Sequence, residues 1–343
     1  MKNKKPFIGA IRWDAWLPGD ADTTKVGQRG VGQQVSDTLS QQKFHFRVPY
    51  FANLHSDGVT ISYPEPTQEL FDQEMQYAAD MGIDYFAYCM YEDNSGLDYA
   101  RVFHTQSKLR NKVKMSAILS AGPYDNMKHI GDLVDCFQQE YYMKVCGGRP
   151  LVFFFAYIKD ETEKEIAALR TACKNAGVPD PYIAAMFWNQ HEIKEALFDA
   201  VSGYGFSGND GQSFVSLTEK ARGRWEEAKS RGQKLIPMAT TGWDPRPRIE
   251  RPVSWMNIAE NCWAQTPKDE EIVTHIQQTM DYIHENNELC EAETLVIYAW
   301  NENDEGGWLV PTGKLGNDGL LMRNADGSLI PDTSRLEAIK KIL

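Results

Sequence analysis

The chain has 343 residues, 42% hydrophobic and 11% aromatic, enough for one large core and somewhat above the usual length of a (β/α)8 barrel. A net charge of -12 and a pI near 5.1 weigh against nucleic acid and anionic membrane surfaces as partners. Six cysteines without a CxxC pair give no zinc-finger or thioredoxin signature, and no run of 18 apolar residues is present to span a membrane.

Met1-Lys-Asn-Lys-Lys5 carries the charge of a leader's first segment, but Pro6 follows and the apolar stretch Phe7 to Ile11 stops at Arg12. A mature or cytoplasmic chain is expected, or a periplasmic or cell-surface one if a leader has been removed. Phe7 to Trp16 reads as a first strand ending in Arg12, Trp13, Asp14 and Trp16. The next fifty residues have no strong period and are expected to form a long loop over one mouth of the fold.

Thr67 is placed to cap a helix whose apolar face holds Leu70, Phe71, Met75, Ala78 and Met81, and Gly82 ends it. Further strands are predicted at 83–91, 113–119, 150–156, 181–188, 200–206, 234–240 and 295–300. Helices are predicted between them, at about 97–109, 126–145, 162–176, 216–231 and 268–288, with a short one ahead of the sixth strand. This alternation predicts an α/β fold, a single (β/α)8 TIM barrel with a long loop after the first strand, spanning residues 1–343 as one domain. A doubly wound open sheet would give similar alternation. It more often carries a glycine-rich phosphate turn, and neither GxGxxG nor a Walker pattern is found.

The most informative stretch is the last strand and its continuation. Leu295 to Trp300 is apolar, and Asn301, Glu302, Asn303, Asp304 and Glu305 follow without a spacer before Gly306-Gly307. In parallel α/β folds, catalytic groups sit at the C-terminal ends of strands. A solvated turn is the plainer alternative. A calcium loop fails, because Thr312 stands where the bidentate carboxylate belongs.

In a barrel, the strand ends would gather Trp13, Asp14, Tyr91, Glu92, Tyr157, Trp188, Tyr204, Trp243, Asp244, Glu302 and Glu305 in one bowl. Aromatic faces with carboxylates suit a sugar, although any one of these aromatics could belong to the core. Arg246 and Arg248 could hold an acidic sugar as planar forks, or form loop salt bridges with Asp244 or Glu250. A metal-dependent hydrolase is disfavoured, because only His191 of the seven histidines is well placed at a strand end.

The chain resembles the glycoside hydrolase family 99-like group, which includes endo-α-mannosidases and WbsX-like proteins. Asn301-Glu302-x-x-Glu305-Gly306, Gly242-Trp-Asp-Pro-Arg-Pro-Arg248, Ile8-Gly-Ala10 and Gly82-Ile-Asp84 carry the resemblance. It implies a retaining mechanism through a 1,2-anhydro sugar, with Glu302 as base on the 2-hydroxyl and Glu305 as acid/base. Asn301 would orient the sugar, with Trp308 among the other substrate contacts. No cofactor and no metal are expected. Independently of the family, two glutamates three apart reach a sugar from neighbouring directions, which suits a base on an adjacent hydroxyl better than a direct nucleophile. Asn303, where the family usually has tryptophan, and Gly307-Trp308 depart from its pattern and leave the sugar open. The alternative from another class is a non-hydrolytic carbohydrate-binding or polysaccharide-assembly protein.

Overall fold

The computed structural model describes residues 5–16, 30–91, 98–120, 125–186 and 197–343. Eight parallel strands form its centre: β1 Phe7–Arg12, β2 Tyr85–Cys89, β3 Lys114–Leu119, β4 Arg149–Phe154, β5 Tyr182–Ala185, β6 Ala200–Val201, β7 Met238–Thr240 and β8 Thr294–Tyr298. They pair in the order β7-β8-β1-β2-β3-β4-β5-β6. A parallel bridge between Val201 and Leu235, just ahead of β7, links the two ends of that path. The sheet therefore curls, as in a TIM-like barrel.

β8 shows why the strands are central. Thr294, Leu295, Val296, Ile297 and Tyr298 are all buried, as expected for a strand covered on both faces. The helices are α1 Val31–Leu39, α2 Gln68–Met81, α3 Tyr99–Gln106, α4 Ile130–Gln138, α5 Lys159–Asn175, α6 Phe214–Ser230, α7 Arg246–Glu250, α8 Asp269–Glu285 and α9 Ser334–Lys340. In α2 the Thr67 hydroxyl accepts from the Leu70 amide at 3.2 Å, and Gly82 closes the helix in the left-handed conformation.

Three differences from the sequence expectation have physical causes. The stretch read as a long loop contains α1, whose Val31, Val35 and Leu39 recur every four residues, and a hairpin of Asn53–Leu54 with Ile61–Ser62. The expected helix over 126–145 ends at Gln138. Past it, Met143 exchanges backbone hydrogen bonds with Met115 and Leu151, and Lys144–Val145 turns antiparallel onto β4. The sixth strand stops at Val201 rather than residue 206, before the glycines at 203 and 205. Among the described residues no helix is long and apolar enough to cross a membrane.

Candidate active site

Beyond β8 the chain makes a very tight hairpin. Asn301–Glu302 pairs antiparallel with Gly307–Trp308, and Asn303–Glu305 forms a single 3-10 turn between them. Gly306 takes φ +88, and an added Cβ would lie 2.4 Å from the Asp244 nitrogen; one at Gly307 would lie 2.4 Å from the Tyr298 ring. This close approach lets the Asp244 amide donate to the Glu305 carbonyl at 2.6 Å, fixing the turn to the loop after β7.

The hairpin buries both glutamates, with 3% and 5% of Glu302 and Glu305 exposed. The Tyr204 hydroxyl, beyond β6, donates to Glu302 Oε1 at 2.7 Å, and the Tyr298 hydroxyl donates to Glu305 Oε2 at 2.5 Å. Arg248 of α7 reaches the whole acidic set. It donates to Asp304 through Nε at 2.6 Å and Nη2 at 2.9 Å, donates directly to Glu305 through Nη1, and has Nη2 3.7 Å from Glu302. Burial opposes the Arg248 charge, but Asp304 and Glu305 more than offset it and push its pKa up.

Burial raises the carboxyl pKa of both glutamates. For Glu302 the Glu305 charge adds to the shift, and Arg248 opposes it. Two buried carboxyls that share one guanidinium, one of them raised by the charge of the other, favour holding a proton between them. At rest the direct Arg248 contact favours the negative charge on Glu305.

The glutamates open onto a cavity of about 340 Å³, within the range of small-ligand sites. Among the described residues its walls include Trp13, Tyr91, Tyr204, Trp243, Phe155 and Trp255, with Arg248 beside the pair. Trp13 Nε1 donates to the Tyr91 hydroxyl at 2.7 Å, and the Arg248 guanidinium lies 5.0 Å from the Trp13 ring centre. Carboxyl and phenol groups thus face aromatic surfaces in one cavity.

The other expected site residues are placed differently. Asn301 and Asp14 do not line this cavity; they tie β1 to the hairpin. Asn301 Oδ1 accepts from the Trp13 amide at 2.9 Å and its Nδ2 donates to Asp14 Oδ1 at 3.3 Å. Asp14 also accepts from Arg12 Nε at 2.7 Å, and burial raises its pKa to about 6. Asp244 and Arg246 pair with each other at 2.7 Å and are not among the residues lining the cavity. Arg47 also donates to Asp244, and Arg246 stacks on Trp263 at 3.8 Å. Although burial pushes the Asp244 carboxyl up, these guanidiniums hold it below its usual value. Of the two alternatives the sequence left open, Arg246 takes the loop salt bridge with Asp244, whereas Arg248 pairs with Asp304 and Glu305 rather than with Asp244 or Glu250.

Tyr157 donates to Glu163 at 3.1 Å, and Trp308 packs against Arg335 at 3.9 Å. Trp188, Glu92 and His191 lie outside the described residues. Sequence reasoning did not select Asp304, Tyr298, Phe155, Trp255 or Met256. Tyr298 and Phe155 follow from their positions at the ends of β8 and β4, whereas Trp255 and Met256 come from a stretch with no regular period. Among the described residues no group of three or more His, Cys, Asp or Glu could hold a metal ion.

The fold and this strand-end hairpin define a TIM-like protein whose candidate chemistry sits after β8. Solved structures share the fold. A family 99 endo-alpha-mannosidase from Bacteroides thetaiotaomicron aligns with a TM-score of 0.58 at 14% identity, over 97% of this chain and 95% of that one. The same type of enzyme from Bacteroides thetaiotaomicron, in complex with bis-tris-propane, aligns with a TM-score of 0.54 at 13% identity, over 98% and 96%. The profile of the family described as "Glycosyltransferase WbsX" matches residues 67–322, and the chain belongs to that family. Comparison with curated proteins gives no match.

Proposed function

We propose that this chain, as one barrel domain, is a glycoside hydrolase acting on a complex glycan with retention of configuration. The observation that carries the reading is the buried Glu302–Glu305 pair, raised in pKa and opening onto an aromatic-walled cavity. The family 99 enzymes with this fold are endo-alpha-mannosidases by description, which supports the reading without fixing the sugar.

In the proposed cycle, the Glu302 carboxylate takes the proton of the sugar's 2-hydroxyl as that oxygen attacks the anomeric carbon. The glycosidic bond breaks, and Glu305 gives its proton to the leaving oxygen. Glu305 then takes a proton from water, the water oxygen adds to the anomeric carbon, and Glu302 returns its proton to the 2-oxygen. Both atoms and charge balance, and the configuration is retained through two inversions. The first step needs the charge on Glu302 and the proton on Glu305, the reverse of the resting preference. Arg248 opposes that shift in its resting position, where it contacts Glu305 directly and lies 3.7 Å from Glu302, so the cycle requires its contact to pass toward Glu302 once the sugar is bound.

The family's description as a glycosyltransferase favours a second reading, in which an acceptor sugar hydroxyl takes the place of water. The same pair would serve either acceptor.

The test is a panel of α-linked mannosides and complex bacterial glycans, assayed with the wild type, Glu302→Gln and Glu305→Gln. Each variant is expected to lose roughly 10²–10⁴-fold in kcat/KM. Proton NMR of the first-formed anomer tests retention. Cleavage that survives in both variants would remove the assignment; binding without turnover would instead favour a carbohydrate-binding protein.

A further inference from the structure

Asp304 sits between the two glutamates in sequence, yet it is given no part in the cycle above. It is fully buried, and three elements meet on it: its own hairpin, α7 through Arg248, and α1 through Thr38, whose hydroxyl is 3.3 Å from Asp304 Oδ2. Both Asp304 oxygens accept from Arg248, so two of the guanidinium's three nitrogens are turned to Asp304 and the third to Glu305. Bidentate pairing of this kind fixes a guanidinium in direction as well as place.

We propose that Asp304 is a positioning residue that keeps one proton on the Glu302–Glu305 pair at neutral pH. It does so by holding Arg248 in place and offsetting its charge.

The charges around the pair support this. Arg248 brings one positive charge, and Asp304, Glu302 and Glu305 bring up to three negative ones. With Arg248 and Asp304 cancelling, two adjacent buried carboxyls remain, and they cannot both ionise cheaply. Without Asp304, the full guanidinium charge would fall on the glutamates and release that proton. The Asp304 charge is among the causes that raise both glutamates.

Other titratable groups also lie at or near the pair. Tyr204 and Tyr298 donate from the β6 and β8 ends, and Cys89 at the end of β2 lies 3.3 Å from the Tyr204 hydroxyl. Burial pushes all three pKa values up, so these groups stay neutral through the working range. Tyr91 beside Trp13 is likewise pushed up by burial. Arg47 is engaged by Asp244, and Asp14 is engaged by Arg12. Among the described groups, Arg248 and Asp304 are therefore the charges that decide where the proton goes.

The meaning of this for catalysis rests on the hydrolase reading, but the proton itself does not. The experiment follows the carboxylic-acid C=O infrared band of the unliganded protein against pH, in the wild type, Asp304→Asn, Asp304→Ser and Asp304→Glu. Glu302→Gln and Glu305→Gln identify the band. The wild type should show an acid band at pH 7 that either glutamine variant alters. Asp304→Asn and Asp304→Ser should lose it at a pH lower by about one unit or more, and Asp304→Glu should restore it.

Either folded neutral variant suffices. An unchanged midpoint overturns the proposal, as does a wild type with no glutamate-sensitive acid band at pH 7. No substrate is needed. If the band behaves as expected and no glycan is cleaved, the hydrolase reading falls and the role of Asp304 in holding the proton stands.

Discussion

Glu302 and Glu305 are distinguished by their phenol donors, and this separates their roles experimentally. Tyr204 stabilises the Glu302 carboxylate and Tyr298 the Glu305 carboxylate, so removing either hydroxyl raises the pKa of its own partner. If Glu302 is the base, Tyr204→Phe moves the acidic limb of the kcat/KM profile upward by about one pH unit, because the base must ionise at higher pH. If Glu305 is the acid, Tyr298→Phe moves the basic limb upward by a similar amount, because the acid keeps its proton longer. Profiles in which the two variants move the opposite limbs would exchange the assignments. The glutamate pair was legible as a candidate in the sequence, because the carboxylates follow an apolar strand without a spacer, where parallel α/β folds place functional groups. Arg248 was visible only as a loop cation. Its partner was expected to be Asp244 or Glu250, yet the structure turns it to Asp304 and Glu305, 56 and 57 residues away. No local pattern encodes a pairing that depends on the loops after two neighbouring strands, far apart in sequence, meeting at the sheet's end.

Among the elements, the parallel strands were legible because burial on both faces demands continuous apolar runs. Their ends and the segments over them were less so. α1 lay hidden because its stripe is only three residues deep and its buried face includes Gln34, Ser36 and Thr38. Those polar groups are accommodated by neighbours that arrive late in the chain, as when Gln34 accepts from the Ser254 amide at 2.7 Å. The loop after β7 depends on a similar long-range contact. Arg47 is buried, donates to the Asp244 carbonyl at 2.7 Å and also pairs with its carboxylate, which Arg246 shares. Asp244→Ala would leave a buried guanidinium without its counter-charge, at a cost of about 3–5 kcal/mol. Thermal unfolding should show a large drop in Tm, with Asp244→Asn intermediate because it keeps an acceptor. Thr67→Ala, by contrast, removes one exposed cap and should cost only about 1 kcal/mol. Equal losses in the two variants would mean that the Asp244 network is not what holds the loop.

At the scale of the whole molecule, the site trades stability for a held proton. The carboxyl pKa of Glu302 is raised by burial and by Glu305, so the folded state binds a proton more tightly there than the unfolded chain does. Such a group contributes stability that is fully present below its unfolded pKa, near 4.5, and is lost as pH rises through its folded value. Asp14 acts in the same sense between 3.8 and about 6. The wild type should therefore lose stability progressively from about pH 4 upward, beyond any general effect of its net charge. Glu302→Gln removes one of these groups while Arg248 keeps its direct contacts with Asp304 and Glu305. Its Tm should match the wild type near pH 4 and exceed it by a few °C at pH 8, with the gap widening steadily between. Asp14 is unchanged in both proteins, so its contribution cancels and the gap reports the Glu302–Glu305 pair. A gap that is constant across this range would mean that Glu302 does not hold its proton more tightly when folded. A gap that widens in a variant that has also lost turnover would tie the proposed role of the Glu302–Glu305 pair to a measurable cost in stability.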